Sequence, residues 1–249
     1  CNHTVELMTA GAPPPASVLQ GIEKLGFNVT QVYGLTETYG HTVMSTWNTD
    51  WDDADAEHRA KLKARQGAAM IMTGGMRIVD MESRNDVPAD GESIGEILIR
   101  GNTVMKGYLK DKGNTIESLK DGWFHTGDLA VMHPQGYAEI KDRLKDIIIS
   151  GGENISSVEI EGVLHKHEAV SLAAVVALPD EKWGEVPCAF LELIDGMTVS
   201  ESEIETFCRA HLAGFKRPKK IVFGELPKTA TGKIQKYELR TLARSGKLN

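Results

Sequence analysis

Along residues 13–25 the apolar positions Val18, Leu19, Ile22 and Leu25 recur at three- and four-residue spacing behind consecutive prolines. That spacing predicts a helix with proline in its first turn and Gly26 as its stop. Residues 28–33 then read as a short strand leading into a Gly34-Leu35-Thr36-Glu37-Thr38 turn. The charged, alanine-rich stretch 52–66 predicts an exposed helix or a lid-like segment. From 68 to 140 the texture changes to short β-type runs at 76–79, 96–100, 129–132 and 137–140, separated by Gly, Asp, Asn and Pro. These predict a small antiparallel barrel or sandwich. Residues 141–154 read as a hairpin-like transition. Beyond it come a helix at 156–166, strands at 170–178 and 186–193, a helix at 201–212, a strand at 220–223 and a helix at 236–243. Elements alternating in this way predict a compact α+β or α/β domain, with a boundary near 142–146.

Composition narrows the classes. At 249 residues the chain can hold one large or two modest domains, and 41% hydrophobic with 25% charged residues is ordinary globular usage. A net charge of −7 argues against nucleic acid as a partner. No apolar run is long enough to span a bilayer. The first residues carry no initiator Met and no signal-peptide pattern, so the start reads as a cut end. Cys1, Cys188 and Cys208 form no CxxC pair and are odd in number, which argues against a disulfide framework or a zinc site and for a reducing cytoplasm. Cys188 and Cys208 read as buried structural thiols.

Four clusters could carry chemistry. In Tyr33-Gly34-Leu35-Thr36-Glu37-Thr38, a glycine allows close approach of a ligand, hydroxyls can bond phosphate oxygens, and the carboxylate can hold Mg²⁺ beside substrate phosphates. A strand-to-helix turn with a capping threonine explains the same residues. In Gly122-Trp123-Phe124-His125-Thr126-Gly127-Asp128, an Asp following Gly in a turn could accept from a ribose diol, or simply form an Asx-turn. Asp142-Arg143-Leu144-Lys145-Asp146 followed by Ser150-Gly151-Gly152-Glu153-Asn154 offers an arginine for ribose or phosphate and a glycine pair, or an ion-paired hairpin. Lys233, in Pro227-Lys228-Thr229-Ala230-Thr231-Gly232-Lys233-Ile234, sits near a predicted loop tip, where it could reach developing negative charge or face solvent.

Taken in order, these clusters resemble the successive core motifs of the adenylate-forming superfamily of acyl-CoA synthetases, luciferases and peptide-synthetase adenylation domains. Gly11-Ala12-Pro13-Pro14, Gly95-Glu96-Ile97-Leu98-Ile99-Arg100-Gly101 and Gly107-Tyr108 resemble further motifs of that family, so the matches run from about residue 10 to 236. The resemblance implies an α/β and α+β fold. Residues 1–142 would be the end of a large α/β domain, with a small β-barrel-like subdomain at about 68–142. Residues 143–146 would be a hinge, and 147–249 a small mobile α+β domain.

It also implies roles. Gly11, Ala12, Pro13, Gly34, Leu35 and Thr38 would line the ATP/AMP site. Tyr33 would pack on adenine, Thr36 would contact the α-phosphate and Glu37 would bind Mg²⁺. Asp128 would hold the ribose hydroxyls beside Arg143. Lys145 occupies the hinge position. Gly151, Gly152 and Glu153 would border the CoA pantetheine passage, and Lys233 would stabilise the adenylation transition state.

The family's Ser/Thr/Gly-rich phosphate loop and the large region before it have no counterpart here, so the chain reads as a C-terminal portion that is inactive by itself. Its partners would be a carboxylic acid, ATP, CoA and the missing N-terminal part of the same protein, with a homo-oligomer left open. Thr46-Trp47-Asn48, Trp51-Asp52 and Lys63-Ala64-Arg65-Gln66-Gly67 resemble short- and medium-chain acyl-CoA ligases, including plant acyl-activating enzymes and methylmercaptopropionate-CoA ligases. The expected activity is therefore AMP-forming acid–thiol ligation. The alternatives are an amino-acid-type adenylation domain loading a carrier protein, and a non-catalytic nucleotide- or partner-binding fragment.

Overall fold

The computed structural model describes residues 3–11, 16–230, 232–246 and 248, and the chain divides into two compact units, Cys1–Leu144 and Lys145–Asn249. Ala12 and Pro13 lie outside the described residues.

The first unit opens with β1 (Val5–Thr9), α1 (Ala16–Lys24), β2 (Phe27–Leu35) and β3 (Gly40–Met44). It continues through α2 (Ala56–Lys63) and β4 (Ala68–Ala69). β1 lies parallel to β2, and β2, β3 and β4 follow antiparallel. Gly26 ends α1 in the left-handed region (φ 89°) and donates its N–H to the Glu23 carbonyl, a turn that a side chain would strain. α2 differs from the exposed helix read in the sequence: Ala60 and Leu62 are buried. The sequence shows too few apolar residues there to reveal that two of them anchor the helix.

The second sheet contains β5 (Gly75–Val79), β6 (Ile94–Arg100) and, after α3 (Lys112–Ser118), β7 (Leu119–Lys120), β8 (Trp123–Met132) and β9 (Ala138–Arg143). All its pairings are antiparallel, in the order β5-β6-β8-β7 with β9 also on β8. Ile78, Ile97, Ile99, Ala130 and Ala138 form its buried face, joined by Val43 of β3 and by the partly buried Tyr33 of β2. The two sheets thus share one core, as the 2.0 period of the strands requires.

β8 corrects the sequence reading at Asp128. The segment from Trp123 to Asp128 is continuous strand rather than a turn, and β9 likewise absorbs Asp142 and Arg143. Gly127 and Asp128 nonetheless bulge out of the β6 ladder, which resumes at Leu129 opposite Glu96, and Asp128 pairs with Arg143 of β9.

The second unit comprises β10 (Ile148–Ser150), β11 (Glu153–Ile155), α4 (Ser157–Leu164), β12 (Val170–Asp180), β13 (Gly184–Leu193), α5 (Glu201–His211), β14 (Lys220–Phe223) and α6 (Lys236–Arg244). Its sheet runs β11-β10-β13-β12, and β14 lies parallel on β13. In β12, Ala173, Val175 and Ala177 face one core with Ile160, Leu164, Ile204 and Cys208 of α4 and α5. Ala174 and Val176 face a second core with Leu239 and Ala243 of α6. Both faces of the hairpin are covered, which is why its sequence is almost continuously apolar. Ser156 and Ser200 cap α4 and α5 by accepting from the third amide of each helix. Cys188 and Cys208 are both fully buried, and burial pushes their thiols up to about 12 and about 11.

Candidate functional site

The site residues of the first unit gather where β2 ends against β8 and β9. Gly34 is required by close approach: a Cβ there would lie 2.0 Å from the Gly40 carbonyl oxygen. The chain then makes one 3-10 turn, Thr36–Thr38, and reverses through Tyr39 in the left-handed region (φ 55°). Thr38 is buried, and its hydroxyl accepts from the Leu35 N–H at 2.9 Å and donates to the Gly40 carbonyl at 2.8 Å. Its role is to hold the turn. Thr36 is exposed and Glu37 half-buried, so the turn presents these two outward.

Behind the turn, Tyr33, Asp128 and Arg143 form one constellation. The Tyr33 hydroxyl donates to Asp128 Oδ2 at 2.7 Å, and Arg143 Nε lies 3.3 Å from Asp128 Oδ1. Burial, then the neighbouring Asp128 charge, holds the Tyr33 phenol far above its ordinary pKa, so it remains a donor throughout the physiological range. Asp128 is only 5% exposed and sits opposite Arg143 in the β8–β9 register. An ionised carboxylate has about four acceptor positions. Tyr33 and Arg143 are among the groups that this carboxylate engages.

Glu37 meets a partner whose sequence motif was recognised without a role. Tyr108 donates its hydroxyl to Glu37 Oε1 at 2.9 Å, while the Glu37 carbonyl accepts from the Met105 N–H at 2.7 Å. No group of three or more His, Cys, Asp or Glu able to hold a metal exists among the described residues. One accessible carboxylate matches the way Mg²⁺ is held when phosphates and water fill its other positions.

Two further residues escaped the sequence reading. Glu96, from the Gly-Glu-Ile-Leu motif, is buried beside His125, with Nδ1 2.9 Å from its Oε2. Its sequence signals were its place in that motif and a carboxylate inside an apolar strand. Trp183, at the β12–β13 turn, lies against Gly151, where a Cβ would come within 2.8 Å of its ring.

The second unit carries the other candidates. Gly151 (φ 60°) and Gly152 (φ 91°) make the β10–β11 turn with Glu153 exposed beside them. Lys145 is the first residue of this unit and is exposed. Lys233 is exposed in a loop closed by a Lys228–Ile234 bridge. Its N–H donates to Thr229 Oγ1 at 3.1 Å and its carbonyl accepts from the Thr229 N–H at 2.9 Å. Lys228 anchors that loop to Glu192 at 2.7 Å. Gly11, in the first unit, adopts a left-handed φ of 93°.

Comparison with known proteins gives two family matches: the AMP-binding enzyme model over residues 2–109 and the AMP-binding enzyme C-terminal domain model over 159–233. Acetate–CoA ligase CCL3 of Humulus lupulus is 52% identical, across 97% of this chain and 44% of that protein. Acetate/butyrate–CoA ligase AAE7, peroxisomal, of Arabidopsis thaliana is also 52% identical, across 97% of this chain and 43% of that protein. The chain therefore spans under half the length of these relatives. Among solved structures, o-succinylbenzoate CoA synthetase (MenE) of Bacillus subtilis with its acyl-adenylate aligns with a TM-score of 0.80 at 33% identity, over 94% of this chain and 46% of that one. ATP-bound MatB of Rhodopseudomonas palustris aligns with a TM-score of 0.81 at 30% identity, over 95% of this chain and 45% of that one. No helix among the described residues is long and apolar enough to cross a membrane.

Proposed function

The chain belongs to the AMP-binding enzyme family, and on that premise we propose that it is the nucleotide- and CoA-handling portion of an AMP-forming acyl-CoA ligase. The observation that carries the reading is the Tyr33–Asp128–Arg143 constellation beside the Thr36–Glu37 turn. It offers a diol acceptor, a cation, an outward hydroxyl and a carboxylate within one fold unit.

In the proposed reaction a substrate carboxylate oxygen attacks the α-phosphorus of ATP. The bond to the β-phosphate bridging oxygen breaks, and pyrophosphate leaves. The CoA thiolate then attacks the acyl carbonyl carbon, forming a thioester and expelling AMP. Asp128 accepts from the ribose hydroxyls, Arg143 adds a cation beside them, and the Tyr33 ring borders the adenine. Gly34, Gly11, Ala12 and Pro13 would line the nucleotide site. Leu35 and Thr38 shape the turn that aims the Thr36 hydroxyl at the α-phosphate. Glu37 would hold Mg²⁺, which supplies charge neutralisation on the phosphates. Lys233 stabilises charge in the first step. Gly151, Gly152 and Glu153 border the CoA thiol arm, and Lys145 is the pivot that lets the second unit serve both steps.

The names of relatives favour a short aliphatic acid, since acetate, butyrate and 2-methylpropanoate appear among them. We place the protein in the cytoplasm on its reduced cysteines, with the peroxisome the competing site given the names of two relatives. The test is pyrophosphate exchange by the full-length enzyme against a panel of acetate, butyrate, 2-methylpropanoate and amino acids, followed by CoA. Exchange with a short acid and a CoA thioester product is expected. Exchange confined to amino acids, without reaction with free CoA, would replace the reading by carrier-protein loading. No exchange with any acid would leave a nucleotide-binding protein.

A further inference from the structure

We infer that Glu96 is a positioning residue for the ribose-binding carboxylate, holding open the strand bulge that aims Asp128; this rests on the nucleotide reading above. Across β6 and β8, Glu96 pairs with Leu129 and Leu98 pairs with His125. Ile97 alone therefore faces Thr126, Gly127 and Asp128. Two extra residues must leave the ladder, and their backbone groups need other partners.

Side chains supply them. Glu96 Oε1 accepts from the Gly127 N–H at 3.1 Å. Thr126 Oγ1 accepts from the Asp128 N–H at 3.1 Å and donates to the Ile97 carbonyl at 2.8 Å. Gly127 takes the left-handed conformation (φ 69°), and its carbonyl accepts from the Leu144 N–H at 2.8 Å. The bulge is thus fixed on both sides of Gly127, and Asp128 follows it directly. Straightening the strand would slide Asp128 along β6 and away from its place opposite Arg143, because two residues would re-enter the ladder.

Glu96 itself is 6% exposed, and its Oε2 lies 2.9 Å from His125 Nδ1 and 3.7 Å from an Arg84 guanidinium nitrogen. A carboxylate is costly at such a depth. What an apolar residue could not provide is the acceptor for Gly127.

The experiment compares ATP with 2′,3′-dideoxy-ATP in pyrophosphate exchange by the full-length enzyme. Wild type should prefer ATP by roughly tenfold to a hundredfold, as hydrogen bonds to a charged acceptor imply. Asp128→Ala should abolish that preference. Glu96→Ala should abolish it too, while its kcat/KM with dideoxy-ATP stays near wild type. Two conservative variants decide the matter if Glu96→Ala folds poorly. Glu96→Gln keeps both reach and acceptor and should retain the preference. Glu96→Asp keeps the charge but is one methylene too short and should lose it. Equal loss with both nucleotides in Glu96→Ala, or the reverse order of the Gln and Asp variants, would overturn the positioning role. A wild type with no preference would instead overturn the ribose reading, and this inference with it.

Discussion

The Tyr108 hydroxyl holds Oε1 of Glu37 at 2.9 Å, joining two residues 71 positions apart in the chain. The bond fixes one carboxylate oxygen and orients the other away from it. Tyr108→Phe should let the carboxylate swing, raising the Mg²⁺ concentration for half-maximal exchange by about three- to tenfold, the range of one neutral-donor hydrogen bond. Glu37→Gln, which removes the anion at similar volume, should lower turnover by roughly a hundredfold. An Mg²⁺ titration of both variants checks this. Unchanged curves in both would remove Glu37 from metal binding.

Two substitutions in the second unit should separate the half-reactions. Lys233 has its backbone pinned by Thr229, an anchor that Lys233→Ala leaves in place while removing the cation. Exchange should fall by about a hundredfold or more, while pre-formed acyl-adenylate still reacts with CoA. Lys145→Pro fixes φ at the junction of the two units and should do the opposite, sparing adenylation and impairing thioester formation. Single-turnover assays of each half-reaction read the result. Equal damage to both halves would point to misfolding.

The second unit was legible in the sequence because its signals are local: serine caps, an alternation of helix and strand, and a continuous apolar run for a strand covered on both faces. Asp128 was misplaced because its neighbours Gly127 and Thr126 read as turn residues, and the bulge they form exists only opposite β6. The Tyr33–Asp128 bond spans 95 residues and the Tyr108–Glu37 bond 71. No local pattern encodes either. Family resemblance supplied the candidates, while the structure alone supplied Tyr108 and Glu96 as the residues that hold two of them.

Acid should weaken the contacts that Glu139 makes with His133 and Lys141. Burial would raise this carboxyl, but hydrogen bonds from His133 and Lys141 outweigh it and bring the pKa down to about 2. A depressed folded-state pKa contributes stability that is complete above the unfolded value of 4.5 and is lost as pH falls toward about 2. Glu139→Gln should cost about 2–3 kcal/mol at pH 7 and little near pH 2. Chemical denaturation at pH 7, 4 and 3 checks it. A destabilisation that does not shrink on acidification would mean that lost packing, rather than charge, explains the variant.

The piece 145–249 should fold alone, and α6 should be part of the reason. Its two cores draw only on residues of that unit, one lying under α4 and α5 and the other under α6. The β12–β13 hairpin between them pairs along nearly its whole length. Strands covered on both faces by apolar helices meet the requirement for an independent domain. Arg240 on α6 also forms an ion pair with Asp146, the second residue of the unit, tying its first segment to its last helix. Thermal unfolding of the piece should therefore be a single cooperative transition. Leu239 is 4% exposed in the α6 core, so Leu239→Ala should destabilise by about 2–5 kcal/mol through lost burial and the cavity left behind. At roughly 4–8 °C per kcal/mol for a domain of this size, the midpoint should fall by at least about 8 °C. Arg240→Ala should cost less, about 1–3 kcal/mol, because it leaves a buried carboxylate without its cation but near the solvent edge. A broad, non-cooperative melt would show that the unit needs the rest of the protein to fold. A Leu239→Ala midpoint equal to wild type would show that α6 does not seal the second core.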